Sequence, residues 1–232
     1  MGGFLSSSIG KKLIMSVTGL FLVIFLLVHL TANLALLLGA DAFNIVSHFM
    51  GTNPIIQVMQ PALAIGFIIH ILYASILTLQ NQKARGSESY NKTVNSHQSS
   101  WASKNMYILG AMILSFLVLH IFNFFWKIKV TGSPLLSEVN IDGEMMENAY
   151  ALVVGLFRDP QLGMIYSAVY VLGSISLGLH LTHGFWSAFQ TVGFSNDLWR
   201  KRLTVVGYLY AIAVASGFAI IPIFLMLFGG NN

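Results

Sequence analysis

The chain has 232 residues, of which 56% are hydrophobic and only 9% are charged, with a formal net charge of +4. A soluble globular domain carries about 25% charged residues, so the composition excludes that class and indicates an integral membrane protein. The sequence has no cysteine. Disulfides, thiolate ligands and cysteine nucleophiles are therefore excluded, and any iron–sulfur cluster that works with this chain must belong to another subunit.

Five apolar runs are long enough to cross a bilayer, which takes about 20 helical residues. Their apolar centres contain no Lys, Arg, Asp or Glu. The first run is too long for the apolar core of a signal peptide, about 7–15 residues, so it is predicted to be a helix. We predict an all-α membrane protein, a five-helix bundle forming a single domain over residues 1–232. Its helices are expected at about 12–38, 54–80, 104–126, 161–194 and 203–228.

The distribution of basic residues predicts the orientation of the chain. Nine of the twelve Lys and Arg lie at the amino terminus or in the second-to-third and fourth-to-fifth connections. Basic loops stay on the cytoplasmic side, so the amino terminus is expected in the cytoplasm and the carboxyl terminus outside. On the outer side, residues 143–157 are expected to form either a short surface helix or an ordered loop. His97 lies in a polar cytoplasmic loop, and we assign it no role.

Five of the seven histidines lie within four of the predicted helices. An ionisable residue inside a membrane is costly and is a functional candidate, although one such histidine alone could simply bond to a neighbouring helix. The helical rise of about 1.5 Å per residue sorts four of them into two layers, about 10–20 Å apart. The outer layer holds His29 of the first helix and His120 of the third, and the inner layer holds His70 of the second and His180 of the fourth, where His183 also lies.

Two histidines at one depth on different helices can supply both axial ligands of a haem. Two such pairs predict two haems stacked across the membrane. A structural zinc site fits less well, because it needs four ligands at one point. Gly19 and Gly110 each precede an outer histidine by ten residues, or about 15 Å. They would leave room there for a porphyrin edge or, alternatively, for close helix packing.

Several stretches resemble the dihaem cytochrome b membrane anchor of succinate:quinone oxidoreductases, in its single-chain, five-helix form. The resemblance covers nearly the whole chain. It implies that His29 and His120 bind the outer haem iron, and that His70 and His180 bind the inner one. The stretches are SVTGLFLVIFLLVHL (16–30), FNIVSHFMGTNP (43–54), IIHILYAS (68–75), LSFLVLHIFNFFW (114–126) and HLTHGFWSAFQTVG (180–193).

The same resemblance distinguishes the two histidines of the fourth helix. In the family, the ligand lies four residues before a glycine that precedes two bulky side chains, here Gly184, so His180 is the expected ligand. His183 is expected to donate to an inner-haem propionate or a water, unless it is a plain packing residue. Ser16 and Trp101 are further candidates for the inner propionates. Their ordinary alternatives are a helix-start serine and an interfacial tryptophan.

The resemblance also implies a function and partners. A flavoprotein subunit and an iron–sulfur subunit would dock on the cytoplasmic face of a bacterial cytoplasmic membrane, where succinate is oxidised or fumarate reduced. This chain would be the non-flavin electron-transfer subunit, in contact with lipid and a quinone, with menaquinone favoured. No nucleic acid is expected.

The quinone reaction needs a group that exchanges protons near the outer haem. The family resemblance implies an acidic residue there, and the first-to-second connection contains Asp41. His48 is the preferred candidate, because an imidazole can take up and release protons near neutral pH. Asn53 is a candidate for orienting the quinone. The alternative for His48 is a solvated loop histidine.

Two other functions compete with this one. A quinol-oxidising cytochrome b of the bc type carries two ligands on one helix, one for each haem, and no helix here has that arrangement. A haem-free transporter could use the histidines as a proton relay. It would not require two layers of histidine, and the apolar spans contain no carboxylate to complete such a relay.

Overall fold

The computed structural model describes residues 7–85 and 101–229; the loop that contains His97 lies outside these ranges. Within these ranges, five helical segments are long and apolar enough to cross a membrane, which confirms the predicted five-helix architecture. The elements in chain order are α1 (Ser8–Leu34) with a 3₁₀ turn at Ala35–Leu38, α2 (Ala40–Thr52), α3 (Pro54–Arg85), α4 (Trp101–Lys104), α5 (Met106–Ile121) with a π-helical segment at Phe122–Thr131, β1 (Glu138–Ile141), β2 (Glu144–Glu147), α6 (Ala149–Phe157), α7 (Gly163–Thr191) and α8 (Asp197–Phe228).

Capping side chains set where two of the long helices begin. Ser7 accepts a hydrogen bond from the Gly10 backbone N–H, so α1 begins at Ser8 rather than near residue 12. Asn196 accepts one from the Trp199 N–H, so α8 begins at Asp197 rather than at 203. These side chains satisfy backbone donors that the first helical turn leaves free. Both helices therefore extend beyond their apolar runs.

Helices α7 and α8 form the most extensive pair in the bundle, and α1 packs against both. Small residues allow the close approach of α7 and α8: a Cβ at Gly178 would lie 2.7 Å from the Cβ of Ala215. Glycine in such a position is a common means of bringing membrane helices together. Helix α3 packs mainly on α1, and many of its apolar side chains are exposed, as expected for a lipid-facing helix.

The two ends of the bundle are built differently. At one end lie α2, the two strands and α6; we call this the hairpin end, and by the predicted orientation it faces outside. At the opposite end lie Ser7, Trp101 and the start of α8; we call this the basic end, because it carries Arg200, Lys201 and Arg202.

Residues 143–157 are neither one surface helix nor a loop. Strand β2 pairs antiparallel with β1 through a two-residue turn at Asp142 and Gly143, whose φ angles are 53° and 89°. Positive φ at both positions is typical of the type I′ hairpin turn, and Asp-Gly is one of its preferred sequences. The second half does form a helix, α6, but Leu152 and Phe157 are each only 2% exposed. Helix α6 is therefore packed into the core.

Two buried asparagine contacts fasten α2 to α6. The Asn44 side chain is 2% exposed, and its Oδ1 accepts a hydrogen bond from the Tyr150 backbone N–H at 2.9 Å. Its Nδ2 donates to Asn148 Oδ1 at 3.2 Å. Buried polar groups that are paired in this way hold one arrangement, because any displacement would leave them unsatisfied. Helix α2 is thus fixed against the start of α6, directly after the hairpin.

Candidate functional site

The predicted outer histidines meet across the bundle. His29 of α1 and His120 of α5 have ring centroids 5.8 Å apart, with ring planes at 89°. We call them the hairpin-end pair. The predicted inner histidines meet in the same way: His70 of α3 and His180 of α7 have centroids 6.5 Å apart, with planes at 65°. We call them the basic-end pair.

The ring separations suit two imidazoles on opposite sides of one metal ion. With a metal–nitrogen bond of about 2 Å on each side, the two ring centroids would be about 6 Å apart. Both observed separations lie close to that value. The Nδ1 atoms of His120 and His180 are also buried without a hydrogen-bond partner. A buried, unpaired ring nitrogen is unusual, so these imidazoles fit a role in holding a further group.

The other member of each pair has a polar neighbour on α1. The Asn33 amide nitrogen lies 3.4 Å from His29 Nδ1, and Thr18 Oγ1 lies 3.4 Å from His70 Nδ1. Ligating histidines are commonly oriented by a contact at their second ring nitrogen. Both neighbours are therefore candidates for orienting a ligand, and neither was predicted from the sequence.

Two glycines lie beside the basic-end pair, as the helical rise predicts. A Cβ at Gly19 would lie 3.6 Å from His70 Cε1, and a Cβ at Gly110 would lie 3.8 Å from His180 Cε1. Each glycine precedes a member of the hairpin-end pair by ten residues, so the two pairs are about 15 Å apart along the helices. The glycines place no side chain against these histidines, which suits the close approach of a flat cofactor edge.

Aromatic rings surround the hairpin-end pair. Phe25 stacks on His29 at 5.2 Å, and Phe218 lies 5.6 Å from it. Phe116, Phe124 and Tyr170 lie 5.8, 5.3 and 6.0 Å from His120. These rings exclude water from the site.

Tyr170 is held by a polar contact inside this aromatic enclosure. Asn123, which is 3% exposed, donates to the Tyr170 hydroxyl at 3.1 Å. Asn123 belongs to the π-helical segment that follows His120, and such wide turns often occur at functional sites. This contact could not be predicted from the sequence, because no short pattern reveals a π turn.

The four predicted ligand histidines are grouped as two pairs. Across residues 7–85 and 101–229, no three His, Asp or Glu side chains are grouped as they would be in a site with three or four protein ligands. A paired arrangement suits a metal whose other positions are filled by a macrocycle, and it differs from the four-ligand geometry of structural zinc.

The remaining predicted residues of the basic end are dispersed. His183 is half-buried, and its ring meets Trp186 edge-on at 5.4 Å, while the Arg200 guanidinium lies 5.4 Å from the same Trp186 ring. Ser16 is buried at 5% exposure, and Trp101 is 62% exposed at the start of α4. The propionate-binding roles of His183, Ser16 and Trp101 stay predictions.

The residues predicted for the quinone site lie along and just after α2. Asp41 is exposed in its first turn, and His48 lies seven residues further, about 10 Å along the same face. The Asn53 side-chain oxygen accepts a hydrogen bond from the Ile55 backbone N–H. That oxygen therefore already has a partner two residues along the chain. The structure adds one residue that sequence reasoning missed: Glu144 Oε1 lies 3.3 Å from His48 Nε2.

An apolar cleft of about 610 Å³ lies between α1 and α2. It is lined by four residues of α1 between Leu27 and Ala32, and by four of α2 between Ile45 and Met50. Ligand pockets commonly measure about 300–1,000 Å³ and are mostly apolar. The cleft thus has the size and character of a site for a lipid-soluble ligand, at the level of His29 along α1.

The chain is 27% identical over 173 residues to the succinate dehydrogenase cytochrome b558 subunit of Bacillus subtilis (strain 168). The matched region covers 74% of this chain and 73% of that protein. No family model and no solved structure matches the chain. The similarity confirms the resemblance predicted from the sequence.

Proposed function

We propose, from the resemblance to the cytochrome b membrane anchors of succinate dehydrogenases, that this chain is such an anchor in a succinate:quinone oxidoreductase. It carries electrons between an iron–sulfur subunit and membrane quinone by means of two haem b groups. The observation that carries the proposal is the presence of two histidine pairs, each drawn from two helices and about 15 Å apart along the bundle.

Each histidine pair has a distinct task. His29 and His120 hold one haem, and His70 and His180 hold the other. When bound, the haems supply one-electron transfer at potentials set by their surroundings. Four different helices contribute the imidazoles, so the fold of the bundle fixes their spacing.

The partners are a flavoprotein subunit and an iron–sulfur subunit docked at the basic end. This chain has no cysteine, so the clusters belong to the partner, and the chemistry on succinate or fumarate belongs to the flavoprotein. The anchor therefore contributes electron transfer and the quinone reaction only. Its basic residues favour the cytoplasmic face, and the membrane of this proposal is the bacterial cytoplasmic membrane.

The quinone, with menaquinone favoured, reacts at the hairpin end. The physical reason is the separation of the two histidine pairs: the second pair would serve no purpose if electrons left at the first. His48 and Asp41 are the proposed proton-exchanging groups, and Asn53 an orienting group. The apolar cleft between α1 and α2 supports this proposal, because its size and apolar lining suit a hydrophobic molecule.

Purification of the complex through a tag on this chain tests the function. We expect flavoprotein and iron–sulfur subunits to co-purify, and a pyridine haemochrome assay to return two haems b per chain. One haem or none would contradict the dihaem proposal. A reduced-minus-oxidised spectrum without b-type bands would instead favour the haem-free transporter.

Two substitutions test the quinone site. His48→Ala or Asp41→Asn should slow quinone-linked turnover severalfold, while succinate oxidation with a soluble artificial acceptor stays unchanged, because that path uses the partner subunits alone. Both haem signals should stay normal. If both variants keep full quinone activity, the reaction does not take place beside α2.

A further inference from the structure

The hairpin brings a carboxylate to His48 from a distant part of the sequence. Glu144 begins β2, 96 residues after His48, and its Oε1 lies 3.3 Å from His48 Nε2. The His48 side chain is 29% exposed and that of Glu144 is 66% exposed. The imidazole therefore lies half inside the protein, while the carboxylate that contacts it is open to water.

Three features keep this contact in place. The turn at Asp142 and Gly143 fixes the register of the hairpin, in which Glu144 pairs with Ile141. Met146 lies on the same face of β2 as Glu144 and is 5% exposed, which anchors that face to the protein. The buried Asn44 contacts hold α2 to the residues that follow the strand.

The other charged groups near this site are arranged differently. Lys129, at the end of the π-helical segment, is close to Gly51 of α2, and Asp41 lies two turns before His48. Glu147 is on the opposite face of β2 from Glu144, because side chains alternate along a strand. Of these carboxylates, Glu144 is the one that contacts the imidazole.

The apolar cleft and this pair share the same turns of α2. Residues Ile45 and Phe49 line the cleft, and His48 lies between them in sequence, on a neighbouring face of the helix. A quinone whose hydrophobic tail occupies the cleft would therefore lie against the turns that carry His48. The imidazole is half-buried and the carboxylate that contacts it is exposed to water.

We propose that Glu144 is a positioning residue for the quinone reaction, which orients the His48 imidazole and exchanges protons between it and the aqueous phase. This inference rests on the proposed function, and it adds a residue from the hairpin to a site otherwise built on α2.

The proton and electron balance is simple. Reduction of one quinone to its hydroquinone takes two electrons, delivered from the iron–sulfur partner through this chain, and two protons. Each carbonyl oxygen of the quinone becomes a hydroxyl. His48 gives a proton to the quinone oxygen and recovers one through Glu144 from water, once for each proton taken up. Oxidation of the hydroquinone runs the same transfers in reverse.

The test compares Glu144→Gln with Glu147→Gln in the purified complex. Both substitutions remove one carboxylate from the same strand, but only the first removes a carboxylate that contacts His48. We expect Glu144→Gln to lower kcat for quinone reduction by about tenfold or more, within the usual range of general acid–base contributions. The KM for quinone should be unchanged, because Glu144 acts through His48. Glu147→Gln should behave as wild type.

A conservative variant separates proton exchange from a structural role. Glu144→Asp keeps the carboxylate and should retain most of the quinone activity, with normal haem spectra in all variants. Equal activity in Glu144→Gln and Glu147→Gln would overturn the proposal. An equal loss of quinone activity in Glu144→Gln and Glu144→Asp, accompanied by altered haem spectra, would also overturn the proposal. A wild-type complex without succinate:quinone activity would instead contradict the proposed function itself.

Discussion

The two histidine pairs use the same residue type but are enclosed in opposite ways. At the hairpin end, His29 and His120 are surrounded by aromatic rings, among them Phe25, Phe124 and Tyr170. At the basic end, His70 and His180 instead adjoin glycines, where side chains are missing. One pair packs against aromatic side chains, and the other packs against glycine positions.

This difference shows how one bundle can make two distinct sites from one kind of ligand pair. Polarity, hydrogen bonding and solvent exposure around a haem set its potential. The aromatic enclosure and the Asn123–Tyr170 contact act at the hairpin end only. We therefore expect the two haems of the proposed complex to differ in potential because of their surroundings.

The largest effect is expected from His180→Ala at the basic end. Loss of one axial ligand should reduce the haem content from about two to about one per chain and weaken assembly of the complex, since the iron then lacks one of its two protein ligands. The neighbouring His183→Ala is the matched control, and it should keep both haems and shift one midpoint potential. Electron paramagnetic resonance of the low-spin signals distinguishes the two, and the reverse pattern would identify His183 as the ligand.

A glycine substitution tests the open side of the basic-end pair. Gly19→Val places branched methyl groups where a Cβ alone would already lie 3.6 Å from His70, so it should displace the ring and lower occupancy of that haem. Gly19→Ala is the control, because 3.6 Å is an ordinary contact and alanine favours the helix by about 1 kcal/mol. Haem content and the optical spectrum measure the occupancy of that haem in both variants. Full occupancy in the valine variant would show that the glycine serves helix packing instead.

A smaller effect is expected from Tyr170→Phe at the hairpin end. The substitution removes the acceptor of the Asn123 hydrogen bond, worth about 1 kcal/mol. Only the part of this energy that differs between the two redox states changes the potential, so the shift is at most about 40 mV for a one-electron couple. We expect a shift of tens of millivolts in the potential of the hairpin-end haem, with the other haem unchanged. Redox titration measures both potentials, and the exposed Tyr208→Phe is the control. Equal shifts in both haems would contradict a local role.

The smallest effect concerns stability at the hairpin end. The backbone N–H groups of Leu162 and Gln161 donate to Asp159 and hold its pKa below the ordinary value of 3.8. A lowered folded-state pKa means that the ionised carboxylate stabilises the fold above the unfolded pKa, and that this contribution disappears as the pH falls through the folded value. Asp159→Asn should therefore have a slightly lower Tm at neutral pH. The difference should vanish in acid below 3.8, and a pH-independent difference would contradict this linkage.

Much of the candidate site could be predicted without coordinates. Helical rise and the order of the helices were enough to sort His29 with His120 and His70 with His180, because regular helices convert residue number into depth. The same rule placed Gly19 and Gly110 at the level of the basic-end pair. The Asp-Gly turn at 142 and 143 was also visible in the sequence, as a hairpin signal that the prediction of a helix or loop overlooked.

Contacts between distant segments could not be predicted in this way. The Glu144 contact with His48 and the Asn123 bond to Tyr170 join residues that no periodicity relates. The first depends on where the hairpin folds back over α2. The second depends on the π-helical segment after His120, which rotates the following side chains away from their expected α-helical directions.

The sequence by itself determined the membrane class, the number of spans and the two layers of histidine. Apolar length and helical rise act locally, so they can be read from the chain directly. Only the tertiary structure decided which side chains enclose each pair: rings at the hairpin end, glycines at the basic end and a carboxylate from β2 beside α2. Those neighbours result from the packing of helices and a hairpin that are separated in sequence, and the local pattern of residues does not specify that packing.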